Sequence, residues 1–366
     1  MQKKGSIFIA VIAAMAMFAA SACSGKEKNA NNGADSLPEI TEPVVTTEPY
    51  IPPVVIEVDN QEMAKGKLIL VNREHQYIDG SNPNIVDIAP MKTDAYFLNN
   101  YEMRLDSEMI EQMNAMLNDF SARTGITDVM ANSGYRSLEE QKELYYDDLA
   151  ATGLNYSKLV AMPGYSEHHT GYAMDFAIND GGGYPALRNE GEYSWIYQNA
   201  ASYGMILRYT ESNQIFTGFS PESWHFRYLG VPNASIVYRM GISYEEYIDF
   251  IRDFTYDEPL EYKLSSSEFY KIYFVPADTE KSSTEIPLPF EAYESSDKDA
   301  FYISGNNVDG FIVTVKVSEL SDDYNEMIFD MFKTPEQYEQ EMAQAESGSD
   351  DEVSSDDDSS EEVYSE

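Results

Sequence analysis

The stretch Pro163–Phe176, PGYSEHHTGYAMDF, sets two adjacent histidines and an aspartate between a proline and glycines, in a chain with four histidines in all. Neutral imidazoles and carboxylates are the side chains that bind a borderline-soft, tetrahedral Zn²⁺, and a catalytic zinc takes three protein ligands and leaves the fourth position to water. This stretch can give one histidine and Asp175. A third ligand has to come from elsewhere, and the other histidines are His75 and His225. His225 stands in PESWHFRY, where Glu222 precedes it by three residues and can reach the same site as a proton acceptor. Spacing does not choose between His168 and His169, because Thr170-Gly171 breaks the strand that a period-two argument from Asp175 would need. His75, in VNREHQY, has no carboxylate or histidine partner in a matching pattern and reads as structural.

These residues need elements to hold them. Tyr172 to Ile178 reads as a strand, as do Asp128 to Asn132, Met205 to Tyr209 and Trp224 to Leu229. Lys67 to Asn72, KLILVN, is an apolar run short enough to be another. Met109, Ile110, Met113, Met116, Leu117 and Phe120 recur at helical spacing, with Asp106 able to cap the start and Gly125 just past the end. Ser137 with Glu140, and Ser243 with Glu246, have the spacing of capping boxes; the first sets Arg136 just before a helix and the second opens a helix through about Phe254. Trp195 to Tyr203 reads as a helix closed by Gly204. Past Asp257 the texture becomes alternating: Phe269 to Val275 is aromatic and β-branched, and Phe311, Val313, Val315 and Val317 share one parity after a turn at Asp309-Gly310.

Charge restricts the partners. The chain has 24 basic and 64 acidic residues among 366, a formal charge of -40, which argues against nucleic acid, whose phosphates are bound by clustered Lys and Arg. Its end, SGSDDEVSSDDDSSEEVYSE, has almost nothing to bury and reads as a disordered acidic tail. The start, MQKKGSIFIAVIAAMAMFAASACSG, carries two lysines, then an apolar run, then small residues ahead of the single cysteine, Cys23. That is the pattern of a secretory signal. Ala20-Ser21-Ala22-Cys23 resembles the lipobox of bacterial lipoproteins, which implies acylation at Cys23; ordinary cleavage and secretion is the alternative. The expected organisation is a signal peptide over 1–22, a disordered tether over 23–55, a catalytic domain over 56–256, a small β module over 257–322 and the acidic tail over 323–366.

Taken together, Ser166-x-His168-x-x-Gly171-x-Ala173-x-Asp175, then Glu222-x-Trp224-His225, and before both Ser133-Gly134-Tyr135-Arg136-Ser137 with Gln141, resemble the VanY-type zinc D-alanyl-D-alanine carboxypeptidases of peptidase family M15, from about Lys67 to about Phe254. Three motifs in this order are specific where any one alone is weak. The resemblance implies an α+β fold with a mixed or antiparallel sheet and helices packed around a zinc cleft, of the hedgehog and D,D-peptidase type. It implies zinc ligands at His168, Asp175 and His225, a general base at Glu222 and a transition-state arginine at Arg136. His169 then becomes a neighbour that orients a ligand or the substrate, while Ser166, Gln141, Ser133 and Tyr135 fall where such enzymes hold the peptide end. One departure is Ser223, where proline is more usual.

The implied activity is removal of the C-terminal D-alanine from peptidoglycan stem peptides, with zinc activating the attacking water and Glu222 as its base. An L,D-carboxypeptidase acting on tetrapeptide stems shares the pattern, and a catalytically idle zinc-containing wall-binding lipoprotein is the non-enzymatic alternative. Retention of Glu222 and Arg136 favours the enzyme, because a structural zinc site requires neither. The expected setting is the outer face of the bacterial cytoplasmic membrane, with the chain anchored through lipidated Cys23 and acting as a monomer.

Overall fold

Side-chain caps and glycines punctuate the chain where the sequence places them. A computed structural model describes residues 51–330, except Asp79 and Ser81. The expected signal peptide, Cys23 and its lipidation, most of the tether and residues 331–366 of the tail lie outside the described residues. In chain order the elements are β1 (Val54–Asp59), β2 (Ile85–Asp87), β3 (Phe97–Leu98), β4 (Arg104–Asp106), α1 (Ser107–Thr124), β5 (Val129–Ser133), α2 (Leu138–Thr152), β6 (Ala173–Ile178), α3 (Ser194–Asn199) and β7 (Met205–Tyr209). They continue with α4 (Gln214–Thr217), β8 (Glu222–Tyr228), α5 (Asn233–Met240), α6 (Tyr244–Ile251), β9 (Leu260–Ser265), β10 (Glu268–Pro276), β11 (Ser283–Leu288), α7 (Phe290–Tyr293), β12 (Phe301–Gly305) and β13 (Gly310–Val317). The fold is mixed α+β.

The site rests on a five-stranded sheet of order β3-β5-β6-β8-β7, antiparallel except for the β3–β5 pair. Its register places Asp175 of β6 opposite His225 of β8 and, on the other side, opposite Ser133 of β5. Helix α1 packs on this sheet through Met109, Ile110, Met113, Met116, Leu117 and Phe120, all fully buried, as their helical spacing requires. Asp106 accepts from the N–H groups of Glu108 and Met109 at its start, and Gly125 closes it with φ 75. Both capping boxes are present, Ser137 with Glu140 on α2 and Ser243 with Glu246 on α6.

A second sheet, of order β12-β13-β10-β9, shares a core with α5 and α6, in which Ile236, Tyr244, Ile248, Leu260, Ile272 and Ile312 are buried together. Phe329, from the stretch read as tail, is buried here against the ring of Tyr262. Strand β1 pairs with β11 from Val54↔Leu288 to Asp59↔Ser283, a long-range match that local patterning does not reveal. Among the described residues no helix is long and apolar enough to cross a membrane.

Three local expectations are corrected. Leu68 to Asn72 of KLILVN are buried and Lys67 is half-buried, but the run lies in no strand. Its backbone is taken by side chains and a hairpin instead: Leu68 N–H donates to Ser304 Oγ at 2.9 Å and Leu70 N–H to the Asn306 carbonyl at 3.0 Å, while the Lys67 and Ile69 carbonyls accept from Arg227 Nη2 at 3.0 and 2.9 Å. The helix expected over 195–203 is α3 followed by a 3₁₀ turn, Ala200–Tyr203, before Gly204. Helix α6 stops at Ile251, before the expected Phe254.

Candidate metal centre

Two short devices deliver the opening motif to the sheet. Ser166 caps the 3₁₀ turn Glu167–Thr170, its Oγ accepting from His168 N–H at 3.4 Å, and Gly171 at φ 74 swings the chain into β6. Only glycine fits there: a Cβ would stand 2.8 Å from Ile85 Cγ1, in a backbone region that L side chains rarely adopt. The turn sends the adjacent histidines to different places. His168 goes to Asp175, its Nε2 lying 3.3 Å from Oδ2, and His225 meets the same carboxylate with Nδ1 at 2.9 Å from Oδ1. One ligand atom from each of His168, Asp175 and His225 lies within 4.8 Å of the others.

The hydrogen bonds behind the rings decide which nitrogens face inward. His168 Nδ1 sits 2.6 Å from the Gly134 carbonyl, which can only accept, so that nitrogen carries the hydrogen and Nε2 keeps its lone pair. Among the described residues two buried side-chain polar atoms have no hydrogen-bond partner, His168 Nε2 and Arg136 Nε. A buried lone pair without a donor is costly, and a cation between His168, Asp175 and His225 would satisfy it. The donor set of two imidazoles and a carboxylate therefore fits a borderline cation such as Zn²⁺.

Electrostatics follow from burial and crowding. Burial, reinforced by Arg136, pushes the His168 imidazolium down to about 4. Burial opposes charging of His225 as well, but its hydrogen bonds to Asp175 and Glu167 push it up to about 9. Burial likewise works against the Asp175 carboxylate, yet the imidazoles hold it far below the usual range. Glu222, buried at the start of β8 with Oε2 3.8 Å from His225 Nδ1, is pushed up to about 7 by burial, with His225 and Arg136 pulling the other way.

Arg136 stands beside this cluster, its Nη2 3.6 Å from Asp175 Oδ2 and its Nη1 donating to Gln141 Oε1 at 2.8 Å. Gln141 is fully buried and its Nε2 donates to the Ala161 carbonyl, so its amide holds Arg136 to a loop. His169 turns away from the cluster. Its Nδ1 lies 2.8 Å from the Arg136 carbonyl, its Nε2 accepts from Gly164 N–H at 3.0 Å, and its ring stacks on Tyr77. Ser133 is half-buried opposite Asp175, and Tyr135 is half-buried under the Arg104 guanidinium, 4.7 Å from its ring centroid. His75 closes a turn, with Nδ1 3.0 Å from Asn72 Oδ1, and takes no part.

Glu167 escapes notice in the sequence. It is buried behind His225, with Oε2 3.1 Å from Nε2, and Oε1 receives Arg208 Nε at 2.8 Å and Arg227 Nη1 at 3.2 Å. A signal was present: Arg208 within MILRY and Arg227 within HFRY interrupt apolar strand runs, where an ionised side chain persists only when paired.

The family model for VanY, D-alanyl-D-alanine carboxypeptidase, matches residues 102–231. A D-alanyl-D-alanine carboxypeptidase of Enterococcus faecium is 31% identical over 265 residues, covering 70% of this chain and 78% of that protein. The bifunctional D-Ala-D-Ala dipeptidase and D-Ala-D-Ala carboxypeptidase VanXYC of Enterococcus gallinarum is 32% identical over 190 residues, 50% of this chain and 94% of that protein. Among solved structures, the vancomycin resistance D,D-dipeptidase VanXYg in complex with a D-Ala-D-Ala phosphinate analogue superposes with a TM-score of 0.63 at 30% identity, covering 72% of this chain and 99% of that one.

Proposed function

The chain belongs to the VanY family of D-alanyl-D-alanine carboxypeptidases, and from that premise we propose that it hydrolyses the last peptide bond of peptidoglycan stem peptides and releases D-alanine. The observation that carries the reading is the pair of unpartnered buried atoms, His168 Nε2 and Arg136 Nε, on side chains that both approach Asp175.

His168 through Nε2, Asp175 through a carboxylate oxygen and His225 through Nδ1 would hold the zinc ion. When bound, zinc supplies Lewis acidity, which acidifies water toward neutral pH and polarises a carbonyl. Glu222 takes the proton of the attacking water on a carboxylate oxygen as the oxygen–carbon bond forms. It then delivers that proton to the departing amine nitrogen as the carbon–nitrogen bond breaks, leaving a shortened peptide carboxylate and free D-alanine. Burial pushes this carboxylate up, to about 7 in the metal-free protein, the direction that suits a group that must both take and return a proton. Arg136, held through Nη1 by Gln141, offers N–H donors to the oxyanion of the tetrahedral intermediate.

The apolar N-terminal run and Ala20-Ser21-Ala22-Cys23 support an extracytoplasmic setting, with the chain held to the outer face of the membrane through acylated Cys23. That is where stem peptides are exposed. Cys23→Ala should move the protein from the membrane fraction into the medium.

The reading is tested by D-alanine release from two synthetic stem peptides, one ending in D-Ala-D-Ala and one in L-Lys-D-Ala, with and without a zinc chelator. Chelator-sensitive release from the first is the expected result. Release from the second alone would make the protein an L,D-enzyme, and zinc binding without any release would make it a binding protein.

A further inference from the structure

Glu167 has 1% exposure, and a carboxylate so deep is retained in ionised form only where cations compensate its lost hydration. Arg208 and Arg227 do this, both meeting Oε1, at 2.8 and 3.2 Å. Neither arginine is loose. Arg208 forms a fork with Glu245 of α6, Nη2 to Oε1 at 2.6 Å and Nη1 to Oε2 at 2.9 Å. Arg227 donates through Nη2 to the Lys67 and Ile69 carbonyls. The cluster holds two cations and two anions. Its geometry leaves a single direction open on Glu167: Oε2, aimed at His225 Nε2 at 3.1 Å.

We infer that Glu167 is a positioning residue for the metal centre, which makes His225 an Nδ1 ligand by accepting the hydrogen of Nε2, while Arg208 and Arg227 hold its other oxygen. The inference rests on the reading of His168, Asp175 and His225 as metal ligands. An ionised carboxylate can only accept, so the hydrogen on Nε2 is fixed and Nδ1, beside Asp175, is the nitrogen left to give up its proton to a metal. An amide in the same place inverts this. In Glu167→Gln the arginines require the amide oxygen, because an NH₂ group beside them would set donor against donor. The NH₂ then faces Nε2, which has to accept, and the hydrogen moves to Nδ1, where it blocks ligation. A purely structural ion cluster would have no such effect on the imidazole.

The test uses the full chain and zinc alone, titrated in competition with a chromogenic chelator. Glu167→Gln should bind zinc about 10- to 100-fold more weakly than wild type. Because this variant removes a buried charge and can fail to fold, a second measurement is made on the wild type: nitrogen NMR of the histidine-labelled, zinc-loaded protein. There His225 should be zinc-bound at Nδ1 and protonated at Nε2, and His168 the reverse. Zinc on His225 Nε2, or wild-type affinity in folded Glu167→Gln, overturns the inference and leaves the ligand reading standing. A wild-type chain that binds no zinc at these histidines overturns both.

Discussion

His168 and His225 present opposite ring nitrogens to one carboxylate, Nε2 at 3.3 Å from Asp175 Oδ2 and Nδ1 at 2.9 Å from Asp175 Oδ1. The difference is set behind the rings, by the Gly134 carbonyl for one and the Glu167 carboxylate for the other. The two imidazoles also differ in proton affinity in the metal-free protein: burial and Arg136 push His168 down to about 4, whereas hydrogen bonds to Asp175 and Glu167 push His225, against its burial, up to about 9.

Zinc uptake should release a proton from His225 and none from His168. His225 is raised, so in the metal-free protein it stays charged until the pH passes about 9, and zinc has to displace its proton below that. Apparent zinc affinity should then rise about tenfold per pH unit up to about pH 8, only about fivefold between about 8 and 9, and level off beyond it. Proton release on zinc addition to weakly buffered protein checks this; an affinity flat from pH 7 to 9 would refute it.

Glu222→Gln should retain zinc and lose activity by about 10²- to 10⁴-fold, the range for removal of a positioned proton-transfer group. The sign of the pH effect follows from its shift. Burial raises the carboxyl toward 7, and the base works only when ionised, so wild-type kcat/KM should climb with pH on its acid side. The residual activity of Glu222→Gln should lack that limb. Steady-state kinetics from pH 5 to 8, with bound zinc measured in parallel, decide it.

Much of this arrangement is legible because local rules carry it. The methionine spacing of α1, the caps at Asp106, Ser137 and Ser243 and the glycine that closes α1 are short-range features, and each of these helices begins where its cap lies. The motif residues are legible for another reason: β6 and β8 are neighbours, so Asp175 and His225 become cross-strand partners. Contacts made by side chains across the fold escape. KLILVN looks like a strand because nothing near it shows that Arg227 and the β12–β13 hairpin take its backbone groups. Glu167 looks like a surface acid in a polar turn because Arg208 and Arg227 come from β7 and β8. His168 and His169 are distinguished only by the 3₁₀ turn, which sends one ring to Asp175 and the other to the Arg136 carbonyl.

Arg136→Ala should lower kcat by about 10²- to 10³-fold, the loss expected when an oxyanion donor is removed. If the guanidinium instead grips the terminal carboxylate of the substrate, KM rises and kcat holds. Gln141→Leu should move the same parameter less far, since it frees Nη1 without removing the charge. Saturation kinetics on a D-Ala-D-Ala peptide separate the two roles.

Gly171→Ala should cost stability by two separable routes. The left-handed conformation at φ 74 carries a penalty of about 1 kcal/mol or more for a residue with a Cβ. The new methyl also meets Ile85 Cγ1 at 2.8 Å, and overpacking of this kind costs about 1 to 3 kcal/mol. Ile85→Ala beside it removes the clash and leaves the backbone penalty, so the double variant should recover part of the loss relative to the sum of the single ones. Urea unfolding of the metal-free chain measures this free of any contribution from bound zinc. Strict additivity would mean that Ile85 yields without strain and that the backbone alone requires glycine at the turn into β6.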